Sequence, residues 1–263
     1  MIILKSEKEI QAIRKSCLIV AKVLADLERM IEPGISTKDL DAFAEKKAKE
    51  MGAVPAFKGY RGYPASLCTS INEEIIHGIP SSRILKKGDI VGLDFGVVYE
   101  GYYGDAAVTY PVGEITPEAK SLIDTAKQSF FRGFEQVREG CRISDISHAI
   151  QKYVEAQGFS VIRSFVGHGI GLSLHEEPQI PNFGSPGSGP KIRKGMVLAI
   201  EPMIAAGDWQ VEIREDNWTA VTKDGSLSSH YEHTVALTQK GAEILSVWNK
   251  EGKLSFVKES SYA

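Results

Sequence analysis

Two stretches of this sequence, 107 positions apart, read LKKGDIVGLD (residues 85–94) and IRKGMVLAIE (residues 192–201). Each places one carboxylate, Asp94 or Glu201, six residues after a Lys-Gly turn, inside an apolar run that is typical of a strand. An ionised carboxylate is very costly to bury without a partner. The repeated pattern therefore predicts a cation beside these two acids.

Helical patterns precede both stretches in the same order. A capping box begins the first helix at Ser6, and Thr37 can cap the second. Further along, one helix is predicted from about Pro117 to Arg138 and another around Ile146. Three pairs of positions recur 106 residues apart: Gly34 and Gly140, Gly52 and Gly158, and Asp39 and Asp145.

This recurrence predicts two copies of a helix, helix, strand unit, although helices ended by glycine can also recur by chance. We expect one domain over residues 1–263, with half-repeats at about 6–112 and 113–248 and a tail at 249–263. The predicted fold class is α+β, with pseudo-two-fold symmetry, strands inside and helices outside. A site is expected at the seam between the halves.

The composition excludes several classes of protein. The 263 residues carry a net charge of −3, which gives no electrostatic argument for nucleic-acid or membrane binding. The start shows no signal-peptide pattern, and no apolar run is long enough to span a bilayer. Three widely spaced cysteines favour a reducing compartment over a disulfide framework. We therefore predict a cytoplasmic protein.

A second acid is expected to face Asp94. Residues 90–112 have the pattern of a β-hairpin with its turn at residues 99–101. Asp94 and Asp105 are equidistant from the Tyr99–Glu100 bond, so a regular hairpin would place them opposite each other. A bulge at Gly101 or Gly104 would change this register, and Asp105 could instead cap a surface turn.

The other candidate ligands are weaker when taken singly. Glu232 lies in the strand pattern YEHTVAL (residues 231–237), and His168 lies in the glycine loop GHGIG (residues 167–171). Alone, each would more often be a surface residue, and the same holds for His77. Together, four carboxylates and one imidazole favour hard or borderline divalent ions. This number of acids fits two ions that share bridging carboxylates.

The ordered set of Asp94, Asp105, His168, Glu201 and Glu232 resembles the five metal ligands of the methionine aminopeptidases. The resemblance runs from about residue 6 to 248. The spacing of the candidate ligands indicates the type I subfamily. Only 31 positions separate Glu201 from Glu232, which is too few for the helical insertion of type II enzymes. Five motifs carry it: YRGYP (60–64), SINEEIIHGIP (70–80), GHGIG (167–171), HEEP (175–178) and IEPM (200–203).

The resemblance implies the pita-bread fold and a dinuclear metallo-exopeptidase. Asp105 and Glu232 would bridge two divalent ions (Co, Mn, Fe, Zn or Ni), with Asp94 on one ion and His168 and Glu201 on the other. A water between the ions would attack the carbonyl of an amino-terminal methionine. Glu201 would also act as the general base for that water.

The resemblance also implies roles beyond the metal ligands. His77 would contact the scissile amide nitrogen, and His175 would donate a hydrogen bond to the developing oxyanion. The substrates would be the amino termini of nascent polypeptides with a small second residue. Ribosome association is expected of the family, and nothing demands a dimer, so we predict a monomer. The methionine pocket would be formed by Tyr60, Tyr63, Cys68 and Trp218.

Two positions depart from the family pattern. Leu174 stands where an aromatic residue often precedes the catalytic histidine, and Phe57 stands where some relatives have a smaller residue. Both put the fine substrate preference in doubt, but not the reaction. The segment PNFGSPGSGP (residues 181–190) is predicted to be a mobile loop at the substrate entrance.

The sequence argues against two other functions. A peptidase of the same fold that cleaves before proline would usually carry a large amino-terminal domain, and none fits before Ser6. A non-catalytic pita-bread protein that binds partners would have lost metal ligands, whereas all five are present. We therefore predict a metal-dependent methionine aminopeptidase.

Overall fold

The structure is a computed structural model and describes residues 1–247. Trp248, the last residue of the predicted second half-repeat, and the predicted tail at 249–263 lie outside the described residues. The described part contains four α-helices, none of them long and apolar enough to cross a membrane. Their bounds are α1 Glu7–Glu28, α2 Thr37–Glu50, α3 Pro117–Phe134 and α4 Ile143–Ala156.

The remaining regular structure is β-strand, apart from one 3-10 turn at Tyr60–Gly62. The strands in chain order are β1 Val54–Pro55, β2 Cys68–Ile71, β3 Glu74–Ile76, β4 Ile90–Tyr99, β5 Tyr102–Pro111, β6 Ser160–Val161, β7 Val166–Gly169, β8 Glu176–Pro181, β9 Val197–Ile200, β10 Met203–Ala205, β11 Val211–Ile213, β12 Ala220–Thr222, β13 Ser228–Thr238 and β14 Gly241–Ile244.

The helix boundaries follow local capping chemistry. The predicted capping box is present at α1, because the Ser6 hydroxyl accepts from the Glu9 amide and the Glu9 carboxylate accepts from the Ser6 amide. The cap predicted for α2 was one residue late: Ser36 accepts from the Asp39 amide and Thr37 is already helical. Helix α3 starts at Pro117 as predicted but ends at Phe134, four residues early.

A large antiparallel sheet forms the centre of the fold. Its main path runs β1-β4-β5-β13-β9-β7-β8, so β4 and β9 occupy matching places on either side of the β5/β13 pair. Helix α1 packs on β4 and β5, and α2 packs on α1 and β1. In the second half, α3 packs on β13 and β9, and α4 packs on α3, β8 and β6. The predicted α+β class, with a central antiparallel sheet and outer helices, is confirmed. The boundary between half-repeats at 112/113 stays a prediction.

The predicted β-hairpin is present, but its predicted register is wrong by two residues. Glu100 and Gly101 alone form the turn, both with positive φ (50° and 84°), as a two-residue type I′ turn requires. The turn centre therefore lies one residue later than predicted, and no bulge interrupts the ladder. Asp94 pairs with Ala107, and Asp105 pairs with Gly96. The two aspartates share a face as diagonal neighbours and are not directly opposed.

The second lone acid lies differently from the first. We predicted Glu201 inside a strand-like apolar run, but the ladder stops at Ile200, and Glu201 and Pro202 form a break before β10. Proline cannot donate to a ladder, which explains the interruption. His168, predicted in a glycine loop, lies on strand β7 instead. Glu201 therefore enters the site from a break in the sheet, and His168 enters it from a strand.

Candidate metal centre and active site

Three of the predicted acidic ligands lie in one row across the central sheet. Asp94 on β4 pairs with Ala107 on β5, and Ala107 pairs with Glu232 on β13. Continuing the β13–β9 register places Glu201 beside Glu232, just past the end of β9. Directly paired residues of antiparallel strands point to the same face. Asp94 and Glu201 therefore converge on Glu232 from matching sides of the β5/β13 pair.

The next row of the same face supplies the other two candidate ligands. Asp105 lies on β5, and its carbonyl accepts a hydrogen bond from Thr234 Oγ1 at 2.8 Å. Thr234 pairs with Ala199 on β9, and Ala199 pairs with His168 on β7. The ligand atoms of Asp105, His168 and Glu232 lie within 4.8 Å of one another. The fold thus gathers side chains that are up to 138 positions apart in sequence.

The donor set fits a divalent cation. Among the described residues, the buried side-chain oxygens without a hydrogen-bond partner include Asp94 Oδ1, Asp105 Oδ1 and Glu232 Oε1. Unpaired buried acceptors of this kind are rare in native structures and call for an ion or water. Glu201 adds an oxygen 3.5 Å from His168 Nε2. Carboxylate oxygens with one imidazole nitrogen suit hard or borderline divalent ions.

The electrostatics of the four acids support the same conclusion. Burial raises the pKa of Asp94 to about 7. Burial, reinforced by neighbouring carboxylates, raises the pKa of Asp105, Glu201 and Glu232 well above the ordinary range. Such a group resists ionisation unless positive charge is supplied. A bound cation would supply the positive charge that these buried carboxyl groups need in order to ionise.

The orientation of His168 leaves one ring nitrogen available as a ligand. Its Nδ1 lies 2.9 Å from the Gly169 carbonyl, which can only accept, so Nδ1 carries the proton. Nε2 then presents its lone pair toward Glu201 and the acidic cluster. Burial lowers the pKa of His168 to about 3 and keeps the imidazole neutral. A neutral imidazole fixed through its second nitrogen is the usual form of a metal-binding histidine.

All eleven predicted site residues line one cavity of ≈ 500 Å³. The acids and His168 form one end of it. Aromatic and aliphatic side chains form the other: Tyr63 and Trp218 meet edge to face with ring centroids 5.1 Å apart. Phe57 and Leu174, the two departures from the family pattern, also line the cavity. A polar centre beside an apolar pocket fits a substrate with one apolar side chain. The predicted residues in the lining are Tyr60, Tyr63, Cys68, His77, Asp94, Asp105, His168, His175, Glu201, Trp218 and Glu232.

His77 is held at the cavity wall by a constrained turn. Its φ is +60°, a left-handed conformation that is uncommon outside glycine. The next residue must be glycine, because a Cβ at Gly78 would lie 2.1 Å from the Thr69 carbonyl oxygen. The imidazole packs edge to face against Phe165 and Trp218. Burial lowers the pKa of His77 to about 4, so the ring is neutral near pH 7.

His175 lines the same cavity beside the acidic end. Its ring centroid is 4.3 Å from that of His168, and its Nδ1 lies 2.7 Å from the Tyr60 hydroxyl. Burial, followed by the charge of Arg61, lowers the pKa of His175 to about 4. If the tyrosine hydroxyl donates to Nδ1, the neutral ring carries its proton on Nε2. This tautomer is the one that can donate into the cavity.

The loop that carries His175 is fixed by residues for which we predicted no role from the sequence. Glu176 accepts hydrogen bonds from the Leu172 amide at 2.8 Å and the Ser173 amide at 3.2 Å. Its carboxylate also forms a buried ion pair with Lys5 near the amino terminus. Glu176 lies in the quoted HEEP motif, but its partner is 171 positions away, so spacing could not reveal the pair.

A second ionic network fixes the neighbourhood of His77 and Trp218. Arg214, at the base of the loop that carries Trp218, donates to Glu74 at 2.7 Å and to Glu73 at 2.6 Å. Glu73 and Glu74 precede His77 in the chain. This network joins two walls of the cavity and was also absent from the sequence predictions.

The segment 181–190 does not border the cavity, contrary to prediction. None of its residues, all of which the structure describes, lines the cavity wall. The backbone amides of Gly184 and Gly187 instead donate to Gln151 and Asp145 on α4. The Ser188 amide donates to the Ser144 hydroxyl at 2.6 Å. Helix α4 thus holds this segment on the outer side of the second half.

The chain closely resembles known peptidases. The profile of metallopeptidase family M24 matches residues 11–239. A methionine aminopeptidase of Clostridium acetobutylicum is 53% identical over 248 residues, which cover 94% of this chain and 99% of that protein. Methionine aminopeptidase 1 of Bacillus subtilis is 51% identical over 245 residues, covering 93% and 99%.

Solved structures agree with the sequence matches. The crystal structure of a methionine aminopeptidase from Thermotoga maritima superposes with a TM-score of 0.92 at 48% identity, covering 94% of this chain and all of that one. A prolidase from Pyrococcus furiosus has a TM-score of 0.75 at 24% identity and shares the fold alone; this chain covers only 66% of it. The predicted pita-bread fold is confirmed. The chain belongs to metallopeptidase family M24 and, within it, to the bacterial, type I-like methionine aminopeptidases.

Proposed function

We propose that this protein uses divalent metal ions to remove the amino-terminal methionine from peptides and nascent proteins, with a preference for a small second residue. The observation that carries the proposal is that the predicted residues line one cavity, which has two unlike ends. One end holds four acids and an imidazole, and the other is an apolar pocket closed by Tyr63 and Trp218. A buried acid cluster beside a pocket of this size suits an exopeptidase that holds one apolar side chain.

The two rows of the sheet support the ligand arrangement that the family resemblance implies. Asp105 and Glu232 lie on the central strands and would bridge two ions, while Asp94 would bind one ion and His168 with Glu201 the other. Divalent ions at such a site supply a nucleophilic water at neutral pH and polarise the scissile carbonyl. Two ions account for four acids better than one does.

The chain's own residues would then move and hold protons. Glu201 lies at the break after β9, so its carboxylate is suited to accept the proton of the attacking water. Neutral His175 would donate from Nε2 to the oxygen of the scissile carbonyl as negative charge develops. His77, which also lines the cavity, would contact the scissile amide nitrogen. Tyr60, Tyr63, Cys68 and Trp218 would surround the methionine side chain.

Replacement of Glu201 tests the proposal. Glu201→Ala should keep the fold, as judged by circular dichroism, and abolish hydrolysis of Met-Ala-Ser. The native protein should cleave Met-Ala-Ser and leave Xaa-Pro peptides intact, with bound metal measured alongside. Retained hydrolysis in the variant would defeat the assignment of Glu201. Preferential cleavage of Xaa-Pro peptides by the native protein would defeat the assignment of the reaction.

The cellular setting belongs to the same proposal. We place the protein in the cytoplasm as a monomer that meets nascent chains, either at the ribosome or after release. The sparse cysteines and the modest net charge of −3 support a reducing compartment and give no strong ribosome-binding charge. Co-sedimentation with translating ribosomes tests ribosome association, and light scattering tests the oligomeric state. Co-sedimentation that depends on the catalytic cavity alone would indicate capture of nascent chains.

A further inference from the structure

A histidine outside the cavity lining lies directly behind the acidic cluster. His230 is 3% exposed, and its Nε2 has no hydrogen-bond partner among the described residues. That nitrogen lies 3.8 Å from Glu201 Oε2 and 3.9 Å from Glu232 Oε2. The nearest polar groups to this unpaired nitrogen thus include two carboxylates that were assigned to the metals.

The backbone fixes the ring in this place. His230 lies on β13 two residues before Glu232, so the two side chains share the face that carries the metal ligands. The His230 amide donates to Thr109 Oγ1 at 3.0 Å, and that hydroxyl donates back to the His230 carbonyl at 2.9 Å. His230 also pairs with Met203, just beyond the break at Glu201. The ring therefore reaches both acids from a rigid strand.

We infer that His230 is a positioning residue that donates an Nε2–H hydrogen bond to the carboxylates of Glu201 and Glu232 and holds them in the geometry that binds metal. This inference rests on the proposed function, since it assigns a support to the proposed ligands. Ionised carboxylates only accept hydrogen bonds, so the nitrogen that faces them must carry the proton. The separations of 3.8 and 3.9 Å are longer than a hydrogen bond, so the inferred bond forms only when the ring and a carboxylate close to within about 3.2 Å.

The packing alternative is weaker. A buried histidine can simply fill space, but then its nitrogens find partners elsewhere, because an unpaired buried polar atom is costly. His233, three residues further along the same strand, shows this case on the opposite face. Its Nδ1 lies 2.9 Å from Ser246 Oγ, and its Nε2 lies 3.0 Å from the Tyr231 hydroxyl. Both ring nitrogens of His233 therefore have hydrogen-bond partners away from the acidic cluster, whereas Nε2 of His230 has none among the described residues.

This pair of histidines supplies a matched experiment. His230→Leu removes the donor, His230→Gln keeps a donor of similar reach, and His233→Leu is the control on the other face. For each variant, Mn²⁺ is titrated into metal-free protein by isothermal calorimetry, and kcat for Met-Ala-Ser is measured at saturating Mn²⁺. Thermal unfolding of each metal-free variant reports loss of stability separately.

The expected result is a weakening of Mn²⁺ binding by about 10–100-fold in His230→Leu, which is the range for supporting hydrogen bonds around metals. His230→Gln should restore most of that affinity, and His233→Leu should lower the unfolding temperature and leave Mn²⁺ affinity unchanged. Unchanged affinity in His230→Leu, or equal losses in His230→Leu and His233→Leu, would overturn the inference. Loss of one bound ion at saturation would also overturn it, by making His230 a ligand. Failure of the native protein to cleave Met-Ala-Ser would instead refute the proposed function.

Discussion

The two halves of the central sheet present matching acids in unlike settings. Asp94 lies in the middle of β4, which is paired with β2 on one side and β5 on the other. Glu201 occupies the matching place 107 positions later, but it follows the last residue of β9 and precedes Pro202. The same sequence pattern therefore yields one acid inside a ladder and one at its end.

This difference matches the separate roles that we propose for the two acids. The backbone of Asp94 is held by ladders on both sides, so its carboxylate has little freedom. The backbone of Glu201 is held after the ladder by a side chain, since Asn182 Nδ2 donates to its carbonyl at 2.9 Å. Its carboxylate lies near both His168 and His230. A group that both binds metal and moves a proton is better placed at such a break.

The largest expected effect comes from removing the charge of each acid in turn. In Glu201→Gln, both a ligand and the base are lost, so kcat for Met-Ala-Ser should fall by about 10²–10⁴-fold even at saturating Mn²⁺. In Asp94→Asn only a ligand is lost, so activity should return in large part as Mn²⁺ is raised. The measurement is kcat as a function of Mn²⁺ concentration. If excess Mn²⁺ rescued both variants to the same extent, the distinction between the two acids would be lost.

The sequence could predict this pair because its signals are local. A Lys-Gly turn, an apolar run and a lone acid are visible within ten residues, and the strand face follows from a period of two. Capping at Ser6 was visible for the same reason. The hairpin register was not, because Tyr99-Glu100-Gly101 allows more than one turn centre. Only the tertiary pairing decided that Glu100 and Gly101 take the two left-handed positions.

The second prediction concerns a close helix contact in each half: α1 packs against β5 at Gly104, and α3 packs against α4 at Gly133. A Cβ at Gly104 on β5 would lie 2.6 Å from the backbone nitrogen of Cys17 on α1. A Cβ at Gly133 on α3 would lie 2.9 Å from Cγ1 of Ile150, a side chain that can adjust. Gly104→Ala should therefore destabilise by about 3 kcal/mol, because backbone cannot yield easily. In Gly133→Ala, the gain in helix propensity of about 1 kcal/mol should offset much of the strain.

Urea unfolding of both metal-free variants measures the difference. The native protein, unfolded under the same conditions, is the reference, and an unchanged m-value confirms that the unfolding reaction is the same. Equal losses in the two glycine variants would mean that α1 can shift away from β5 as easily as Ile150 can turn. The α1–β5 contact of the first half would then be no more rigid than the contact of α3 with Ile150 in the second half.

The supporting residues of the site could not be predicted, because their partners are remote. Lys5 meets Glu176, and Arg214 meets Glu74, across 171 and 140 positions. Charge patterns report neighbours on one helix or strand, and each of these pairs joins two segments that are remote in sequence. His230 was missed for another reason: its strand pattern is that of an ordinary buried ladder. Its unpaired nitrogen becomes visible only beside the carboxylates.

The smallest expected effect concerns Asp39 and Asp145, which hold the same place in α2 and α4. The Asp39 carboxylate accepts a hydrogen bond from the Ser36 hydroxyl at 2.5 Å. The Asp145 carboxylate accepts from two backbone amides, Arg142 and Gly187, each at 2.7 Å. Asp145→Ala should therefore cost about 1–2 kcal/mol and Asp39→Ala about half as much. Peptide kinetics should be unchanged in both, because the segment that Asp145 holds lies away from the cavity.

The pH dependence of the stability difference between the native protein and Asp145→Ala shows whether the aspartate stabilises the fold through its charge. The Arg142 and Gly187 amides stabilise the ionised form and hold the pKa of Asp145 below its ordinary value. A lowered folded-state pKa means that the stabilisation is fully present above the unfolded pKa of about 3.9 and is lost as pH falls through the folded pKa. The stability difference between native protein and Asp145→Ala should thus stay constant from pH 7 to about pH 5 and shrink below about pH 4. A gap that persisted at the lowest pH where both proteins remain folded would show that the aspartate acts by packing. Slower cleavage of Met-Ala-Ser in Asp145→Ala would contradict the conclusion that residues 181–190 lie away from the substrate entrance. It would mean that the loosened segment reaches the cavity.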